Sequence, residues 1–164
     1  DPWILVTFHP ETRNLNAIPH QCDELCSALK SFDGLAEITC SMPGMDAGRE
    51  HIIRALKPWG FVEVVDEDWV HRMANADVLV GNSSCGIIEA PSIPLACVNI
   101  GDRQKGRLMA SSVIQAPHNR DAIRAAIATA LDPEWRRTNL TGVNPYGDRG
   151  AAVRIANLLR EVVL

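Results

Sequence analysis

The sequence predicts a doubly wound α/β domain, in which a parallel sheet of about six strands carries helices on both faces. Short runs rich in β-branched residues alternate with stretches whose apolar residues recur at helical spacing, as in the βα repeats of parallel sheets. The chain of 164 residues suits one such core, since domains contain about 100 to 200 residues. Apolar residues form 46% and charged residues 22% of the chain, which disfavours disordered and fibrous classes.

The first half of the chain contains three predicted strand and helix pairs. Strand one is a run of apolar and β-branched residues that stops at His9-Pro10, as a buried parallel strand does. Apolar residues of the first helix recur at i, i+3, i+4 and i+7, which places them on one face. The predicted strands are residues 3–8, 36–40 and 61–65, and the helices are residues 22–29, 49–57 and 68–75.

The second half continues the same alternation. Three further strands are predicted at residues 77–80, 95–100 and 112–116, with a short helical stretch after the loop 81–86 that is limited by Pro91 and Pro94. A longer helix follows the sixth strand and is capped near Asn119 or Asp121. The last residues again show helical apolar spacing, and we expect this final helix to dock its apolar face on the domain.

The order of the strands determines where a ligand would bind. In the common order 3-2-1-4-5-6, strands one and four are neighbours, and a crevice opens at their carboxyl ends. The loops that leave these two strands begin at His9 and Gly81. Both loops are rich in polar and glycine residues, so the sequence predicts a ligand site where they meet.

Composition excludes several classes of partner. The chain has a formal charge of −4, so it lacks the broad basic surface that binding to a nucleic acid requires. No apolar run approaches the roughly 18 residues of a membrane span. The first residues have no basic secretory start, so we expect a cytoplasmic protein. Five cysteines in irregular spacing, with no C-x-x-C pair, predict neither a metal site nor a disulfide framework, and no cofactor is expected.

The loop 81–86, with the sequence Gly-Asn-Ser-Ser-Cys-Gly, is the first candidate for anion binding. It lies between a strand and a helix start, where free N–H groups and the helix dipole favour a phosphate. Ser83, Ser84 and Cys85 would supply backbone and hydroxyl donors. The loop matches neither dinucleotide nor NTPase glycine motifs. An ordinary turn with Ser83 as a helix cap explains the pattern equally well.

Four other side chains could complete such a site. Glu89 lies one or two turns beyond the loop and could accept hydrogen bonds from ribose hydroxyls, although a solvated glutamate is the simpler reading. Arg103 and Arg107 follow strand five and could bind a diphosphate with guanidinium donors, or could belong to a solvated basic loop. His9 could act as a general acid or bind a phosphate. The residues favour holding a ligand over transforming one.

Five segments together resemble the C-terminal half of hydrolysing UDP-N-acetylglucosamine 2-epimerases. The Gly-Asn-Ser-Ser sequence at 81–84 and the Gly-Asp-Arg-Gln-Lys-Gly-Arg sequence at 101–107 are specific in combination and are most similar to the bacterial sialic-acid-pathway branch. The resemblance runs from the first strand to the last helix. Its segments are residues 9–12, 43–48, 81–91, 99–107 and 144–148.

The resemblance implies a two-domain enzyme of the glycosyltransferase-B arrangement, with two Rossmann-like domains and a UDP-sugar between them. Residues 1–164 would be the C-terminal nucleotide-binding domain, and the N-terminal domain would be absent. The implied reaction eliminates UDP to form a 2-acetamidoglucal and then hydrates it to N-acetylmannosamine, with the main acid and base carboxylates on the N-terminal domain. The fragment alone is then expected to be inactive, and the full-length enzyme to be a homo-oligomer.

The resemblance also implies roles for individual residues. Ser83, Ser84 and the backbone after them, including Cys85, would hold the diphosphate, Glu89 the ribose, and Arg103 or Arg107 the phosphates. His9 would lie beside the leaving UDP as the catalytic candidate of this domain. The backbone near Trp69 would read the uracil edge.

Three positions depart from the family pattern. Gly44 stands where relatives often carry Asn, Arg149 stands where a glycine is usual, and Cys85 fills a position that is often Ser.

Two alternatives remain open from the sequence. The chain could be the donor-binding domain of a UDP-sugar glycosyltransferase, which shares this architecture. It could also be a stand-alone nucleotide-binding regulatory module. The sugar stays open as well, between N-acetylglucosamine and a diacetylated 6-deoxy analogue.

Overall fold

A computed structural model describes residues 1–62, 66–147 and 150–163 of the chain. Its six strands form one parallel sheet in the order β3-β2-β1-β4-β5-β6, which confirms the predicted doubly wound topology. Each predicted strand is found within one or two residues of its expected limits, except that the last three positions of the strand predicted at 61–65 lie outside the described residues. The strands are β1 Trp3–Thr7, β2 Glu37–Ser41, β3 Phe61–Val62, β4 Val78–Gly81, β5 Ala96–Ile100 and β6 Val113–Ala116.

The helices follow the predicted alternation, with one addition. The helix Pro133–Asn139 was not expected, and the third helix begins at Asp66, two residues earlier than predicted. Asn119 is the cap of the fifth helix, since its Oδ1 accepts from the N–H groups of Asp121 and Ala122 at 3.1 and 3.0 Å. The helices are α1 Ile18–Leu29, α2 Arg49–Leu56, α3 Asp66–Asn75, α4 Cys85–Ile88, α5 Arg120–Leu131, α6 Pro133–Asn139 and α7 Ala151–Val163.

Alternate residues of the central strands face two separate cores. Ile4 and Val6 of β1 point to the larger cluster, which contains the apolar faces of α1, α2 and α5. Leu5, between them, points to a smaller cluster that includes Met73 of α3 and Cys85 of α4. Because successive side chains of a strand point to opposite faces, a sheet covered on both sides needs continuous apolar strands.

The register of the sheet brings the carboxyl ends of the strands to one edge. Thr7 of β1 pairs with Gly81 of β4, which pairs in turn with Asn99 of β5. At Gly81, φ is +148°, and a Cβ atom would overlap the carbonyl oxygen of Thr7. The absence of a side chain at this position therefore lets the loops after β1 and β4 start side by side.

The final helix does not dock on the sheet, so that expectation is wrong. Its apolar residues are at helical spacing, but Val153, Leu158 and Leu159 are 65%, 61% and 58% exposed. Amphipathic spacing shows that a helix has an apolar face but does not identify the surface that covers it. Among the described helices, none is both long enough and apolar enough to cross a lipid bilayer.

Gly86 of α4 controls how closely the loop after β4 approaches β5. A Cβ atom at this position would overlap the buried Sγ of Cys97, so we expect Gly86→Ala to lower the free energy of unfolding by about 1 to 3 kcal/mol. Urea denaturation followed by circular dichroism measures this loss. In a Cys97→Ala background the loss should shrink by about 1 kcal/mol, and equal losses in the two backgrounds would contradict the proposed contact.

Candidate functional site

The side chain of Asn82 joins the first two loops of the site. Asn82 is fully buried, and its Oδ1 accepts from the main-chain N–H of His9 at 2.7 Å. Its Nδ2 donates to the carbonyl oxygen of the same residue at 2.9 Å. The two hydrogen bonds resemble a rung of a sheet, and they continue the pairing of β1 with β4 by one residue. The loops that begin at His9 and Gly81 therefore meet as the sequence predicted.

The loop after β5 attaches to the same residue through its main chain. Arg103 Nη1 and Gln104 Nε2 both donate to the carbonyl oxygen of Asn82, at 3.1 and 2.8 Å. Gln104 is buried, whereas Arg103 remains exposed. Three carboxyl-end loops thus converge on Asn82. We did not identify Asn82 or Gln104 as important from the sequence, although both lie inside the segments that carry the family resemblance.

His9 lies half-buried where the loops meet, with its backbone bound by the side-chain amide of Asn82 and its ring bound by a main-chain N–H. The N–H of Gly44, in the loop after β2, donates to His9 Nδ1 at 3.0 Å. Burial lowers the pKa of His9, the charge of Arg103 lowers it further, and the carboxylate of Asp46 opposes them. At neutral pH these effects favour an uncharged imidazole, because a depressed pKa places protonation below the usual value of about 6.5.

The loop 82–85 offers main-chain donors. Within the described residues, the N–H groups of Ser83 and Ser84 donate to no acceptor, while the N–H of Cys85 reaches Ser83 Oγ at 3.4 Å. The N-cap of α4 is Ser84, and no side-chain hydrogen bond caps the helix, so Ser83 is not the helix cap that the alternative interpretation named. Helix α4 has only four residues, so its dipole is small and the free N–H groups are the stronger attraction for an anion.

The other predicted residues are less closely integrated. Glu89 is exposed at the end of α4, and Arg107 is exposed, with its N–H donating to the carbonyl oxygen of Gln104. Trp69 is half-buried against the smaller core cluster, and none of the contacts described joins its ring to the loops of the site. Burial raises the pKa of the Cys85 thiol, which makes it a packing group. The roles assigned to these four residues stay predictions.

A second polar cluster connects the loop after β1 with the loop after β6. Glu11 Oε2 accepts from Gln21 Nε2 of α1 at 3.1 Å, and Glu11 Oε1 lies 2.9 Å from His118 Nε2 in the loop after β6. Both ionisable side chains are mostly buried, at 14% and 18% exposure. The pair lies against Gly101, where a Cβ atom would overlap His118. The sequence signal for this cluster was weak, because His118 and Glu11 are 107 positions apart.

A cleft with a volume of about 610 Å³ lies beside these loops. Arg103 belongs both to this cleft and to the Asn82 cluster, whereas Ser83 lines a separate, smaller crevice together with Thr7 and Gly86. The cleft is lined by residues of the loops after β1, β2 and β5: Pro10, Glu11, Thr12, Arg13, Asp46, Asp102, Arg103 and Lys105. Among the described side chains, no group of three or more His, Cys, Asp or Glu residues could hold a metal ion.

This arrangement defines a class of protein. Free main-chain N–H groups, an arginine and a histidine meet at the carboxyl edge of a parallel sheet, where strand order reverses between β1 and β4. Open α/β sheets bind ligands in such a crevice, and N–H groups with a guanidinium favour a phosphate or another anion. The site therefore has the features of a nucleotide-binding domain.

Comparison with known proteins identifies the family. The profile of the UDP-N-acetylglucosamine 2-epimerase family matches residues 1–160, and the chain belongs to this family. It is 31% identical over 168 residues to the polysialic acid biosynthesis protein P7 of Escherichia coli. It is 30% identical over 172 residues to the hydrolysing UDP-N,N'-diacetylbacillosamine 2-epimerase of Legionella pneumophila. Each alignment covers 98% of this chain but 43% of the relative, so the chain spans less than half their length.

Solved structures agree at the level of the fold. The UDP-N-acetylglucosamine 2-epimerase of Neisseria meningitidis bound to UDP-GlcNAc superposes with a TM-score of 0.78 at 18% identity, over 98% of this chain and 45% of the other. The catalytic domain of a cholesterol-α-glucosyltransferase from Helicobacter pylori gives 0.52 at 15% identity, over 84% of this chain and 93% of the other. The Rossmann-like, glycosyltransferase-B-like fold class is therefore confirmed.

Replacement of Asn82 tests its role in joining the loops. Asn82→Ala leaves the main-chain N–H and carbonyl of His9 without partners, so we expect the free energy of unfolding to fall by about 2 kcal/mol or more. Urea denaturation measures the loss. Asn75→Ala is the matched control, because the exposed Asn75 bonds only to a carbonyl of its own helix. Similar losses in the two variants would contradict the assigned role.

Proposed function

We propose that residues 1–164 form the UDP-binding C-terminal domain of a hydrolysing UDP-N-acetylglucosamine 2-epimerase. The convergence of His9, Ser83 and Arg103 around Asn82 is the observation that carries the proposal. Membership in the family supports the substrate class. Because the chain spans 43% of its curated relatives, a further domain would supply the rest of the active site.

The geometry supports a specific division of roles for UDP. The free N–H groups of Ser83 and Ser84 would donate to the diphosphate, and the exposed guanidinium of Arg103 would balance its charge. Cys85 would contribute its backbone rather than its buried thiol. Glu89 would accept from the ribose hydroxyls, Arg107 would assist at the phosphates, and the backbone near Trp69 would bind the uracil edge.

The proposed reaction converts UDP-N-acetylglucosamine and water into N-acetylmannosamine and UDP. Elimination breaks the bond between the sugar C1 and the phosphate oxygen, with loss of the proton from C2, and water then adds to the resulting 2-acetamidoglucal. Negative charge develops on the departing diphosphate, where main-chain N–H groups, Arg103 and His9 would stabilise it. The carboxylates that move protons at the sugar would lie on the other domain, so this chain alone would bind UDP without turnover.

The sugar could differ from N-acetylglucosamine. The Legionella relative carries the name of a UDP-N,N'-diacetylbacillosamine 2-epimerase, and the Escherichia coli relative is named for polysialic acid biosynthesis. The site proposed here would contact the UDP part, which these sugar nucleotides share. Specificity for the hexose would therefore depend mainly on the other domain.

Calorimetry with UDP tests the proposed site. We expect this chain to bind UDP weakly, and Arg103→Ala to weaken binding about tenfold, because a charge-assisted hydrogen bond contributes about 1.5 to 3 kcal/mol. Ser83→Ala and Glu89→Ala should each weaken binding by a smaller factor. No N-acetylmannosamine should form from UDP-N-acetylglucosamine in the presence of this chain alone.

The matched control for the arginine is Arg137→Ala. It removes the same charge from an exposed residue of α6, which pairs with Glu134 at 2.8 Å. UDP affinity should not change in this variant. If Ser83, Glu89 and Arg103 variants all retain the affinity of the unmodified chain, the site assignment is wrong.

A glycosyltransferase is the second candidate, favoured by the superposition on the Helicobacter glucosyltransferase domain. The two candidates differ when a chain of the relatives' full length is given UDP-N-acetylglucosamine without an acceptor. Release of N-acetylmannosamine and UDP supports the epimerase, whereas an intact donor supports the transferase. A stand-alone regulatory module would bind UDP and give neither product.

The same proposal accounts for the exposed apolar face of α7. Ile155, Leu158, Leu159 and Val162 lie on one side of the helix and are more than half exposed, and the relatives contain more than twice the length of this chain. We propose that this face packs on the domain that the present chain does not include. Burial of a leucine side chain stabilises a protein by about 1.5 to 3 kcal/mol, so such a contact would be substantial.

Two leucine substitutions test this packing. In the full-length protein, Leu158→Ser combined with Leu159→Ser should lower the free energy of unfolding by about 2 kcal/mol or more. In the present chain the same change should have little effect, because both side chains are already exposed. The control replaces the neighbouring Arg160 and Glu161 with serine and leaves net charge unchanged. An equal loss from the control pair, or no loss in the longer protein, would contradict the contact.

A further inference from the structure

His9 is held by two neighbouring loops, one through its backbone and the other through its imidazole ring. Asn82 fixes its backbone through two hydrogen bonds, and the N–H of Gly44 donates to its Nδ1 at 3.0 Å. Both contacts are partly buried, so water competes poorly with them. The ring orientation is therefore set by the protein before any ligand binds.

The Gly44 contact determines where the ring carries its proton. A peptide N–H can only donate, so the Nδ1 that it reaches must present a lone pair. A neutral imidazole has one N–H group, which must then lie on Nε2. An imidazolium would carry an N–H on both nitrogens. Its Nδ1–H would then face the N–H of Gly44, and neither group could accept the hydrogen bond.

The surroundings of the ring favour the same form. Burial and the positive charge of Arg103 both act against an imidazolium, and Asp46 is the charged group that favours it. His9 Nε2 makes no hydrogen bond to any residue in the part of the chain that the structure describes, and it is not among the polar atoms sealed from solvent. The one free polar atom of the ring is therefore open to a ligand.

We propose that the peptide N–H of Gly44 fixes His9 as a neutral imidazole with its proton on Nε2, so that His9 offers the site one hydrogen-bond donor. The proposal rests on the proposed function, because the acceptor it implies is a phosphate oxygen of the nucleotide. Gly44 is then a positioning residue that acts through its main chain. His9 in this form cannot accept a proton at Nε2, and its Nδ1 lone pair is already occupied, so it is not the base that abstracts a proton from the sugar.

Nitrogen-15 NMR of the imidazoles in the unliganded chain tests the tautomer directly. The His9 signals are identified by their loss in His9→Gln. We expect the shift of a protonated Nε2 and of an unprotonated, hydrogen-bonded Nδ1 across neutral pH. A protonated Nδ1, or the averaged shifts of a freely exchanging histidine, would overturn the proposal.

Two variants of Gly44 separate its N–H from its small size. Gly44→Ala keeps the donor, and its Cβ would lie 3.5 Å from Nδ1 and 3.3 Å from an Asp46 oxygen, which requires only a small adjustment. Gly44→Pro removes the donor. The pKa of His9 should rise by about 0.5 to 1 unit in the proline variant and remain near its original value in the alanine variant. Equal pKa values in both variants would contradict the role of the N–H group, and if the proline variant does not fold, the spectrum of the unmodified chain decides.

Binding of UDP by two isosteric variants tests what the donor does. The side-chain amide of Gln can place an N–H near the position of Nε2, whereas that of Asn reaches the position of Nδ1. We expect His9→Gln to keep UDP affinity within about threefold of the unmodified chain, and His9→Asn to lose about tenfold. Similar affinities in the two variants would contradict the donor role. Failure of the unmodified chain to bind UDP would refute the proposed function. The NMR measurement on the unliganded chain would still test the tautomer of His9 independently.

Discussion

The buried amide of Asn82 is the interaction on which the site depends. A side-chain amide carries both a donor and an acceptor, so it can satisfy the main-chain N–H and carbonyl of His9 together. The main-chain carbonyl oxygen of Asn82 accepts hydrogen bonds from Arg103 and Gln104 of the loop after β5. Unpaired polar groups at this depth would be costly, so the three loops are held in one arrangement. The candidate ligand-binding groups are attached to that arrangement and need little reorganisation to act.

Parallel strands make this convergence possible. Because all six carboxyl ends lie at one edge, loops that are distant in sequence become neighbours. Glycine at position 81 allows close approach to the backbone of Thr7, and glycine at position 101 leaves room for the side chains of Glu11 and His118. The pair formed by Glu11 and His118 adds a second connection, between the loop after β1 and the loop after β6. Loops that are fixed to each other and to a rigid sheet can hold donors in place for a nucleotide without a large entropic cost on binding.

Under the proposed function, the site would hold the nucleotide and would be incomplete for chemistry on a sugar. Its charged groups near His9 are Arg103 and Asp46, and a histidine with its single proton on Nε2 suits donation to a leaving diphosphate better than abstraction of a proton. The exposed apolar face of α7 is consistent with the same division of labour, since the described residues leave this surface uncovered. Binding and proton transfer would thus be assigned to different domains.

The sequence by itself determined the parallel sheet and, on the assumption of the common strand order, the two loops that meet, because apolar periodicity and βα alternation are local patterns. It also indicated His9, Ser83 and Arg103 as neighbours. Only the tertiary structure showed which strand order is present, that Asn82 and Gln104 join the loops, that Gly44 orients the histidine, and that the apolar side chains of α7 stay exposed among the described residues. Those outcomes depend on contacts between residues far apart in sequence, and periodicity within one segment carries no information about which distant surface or donor it will meet.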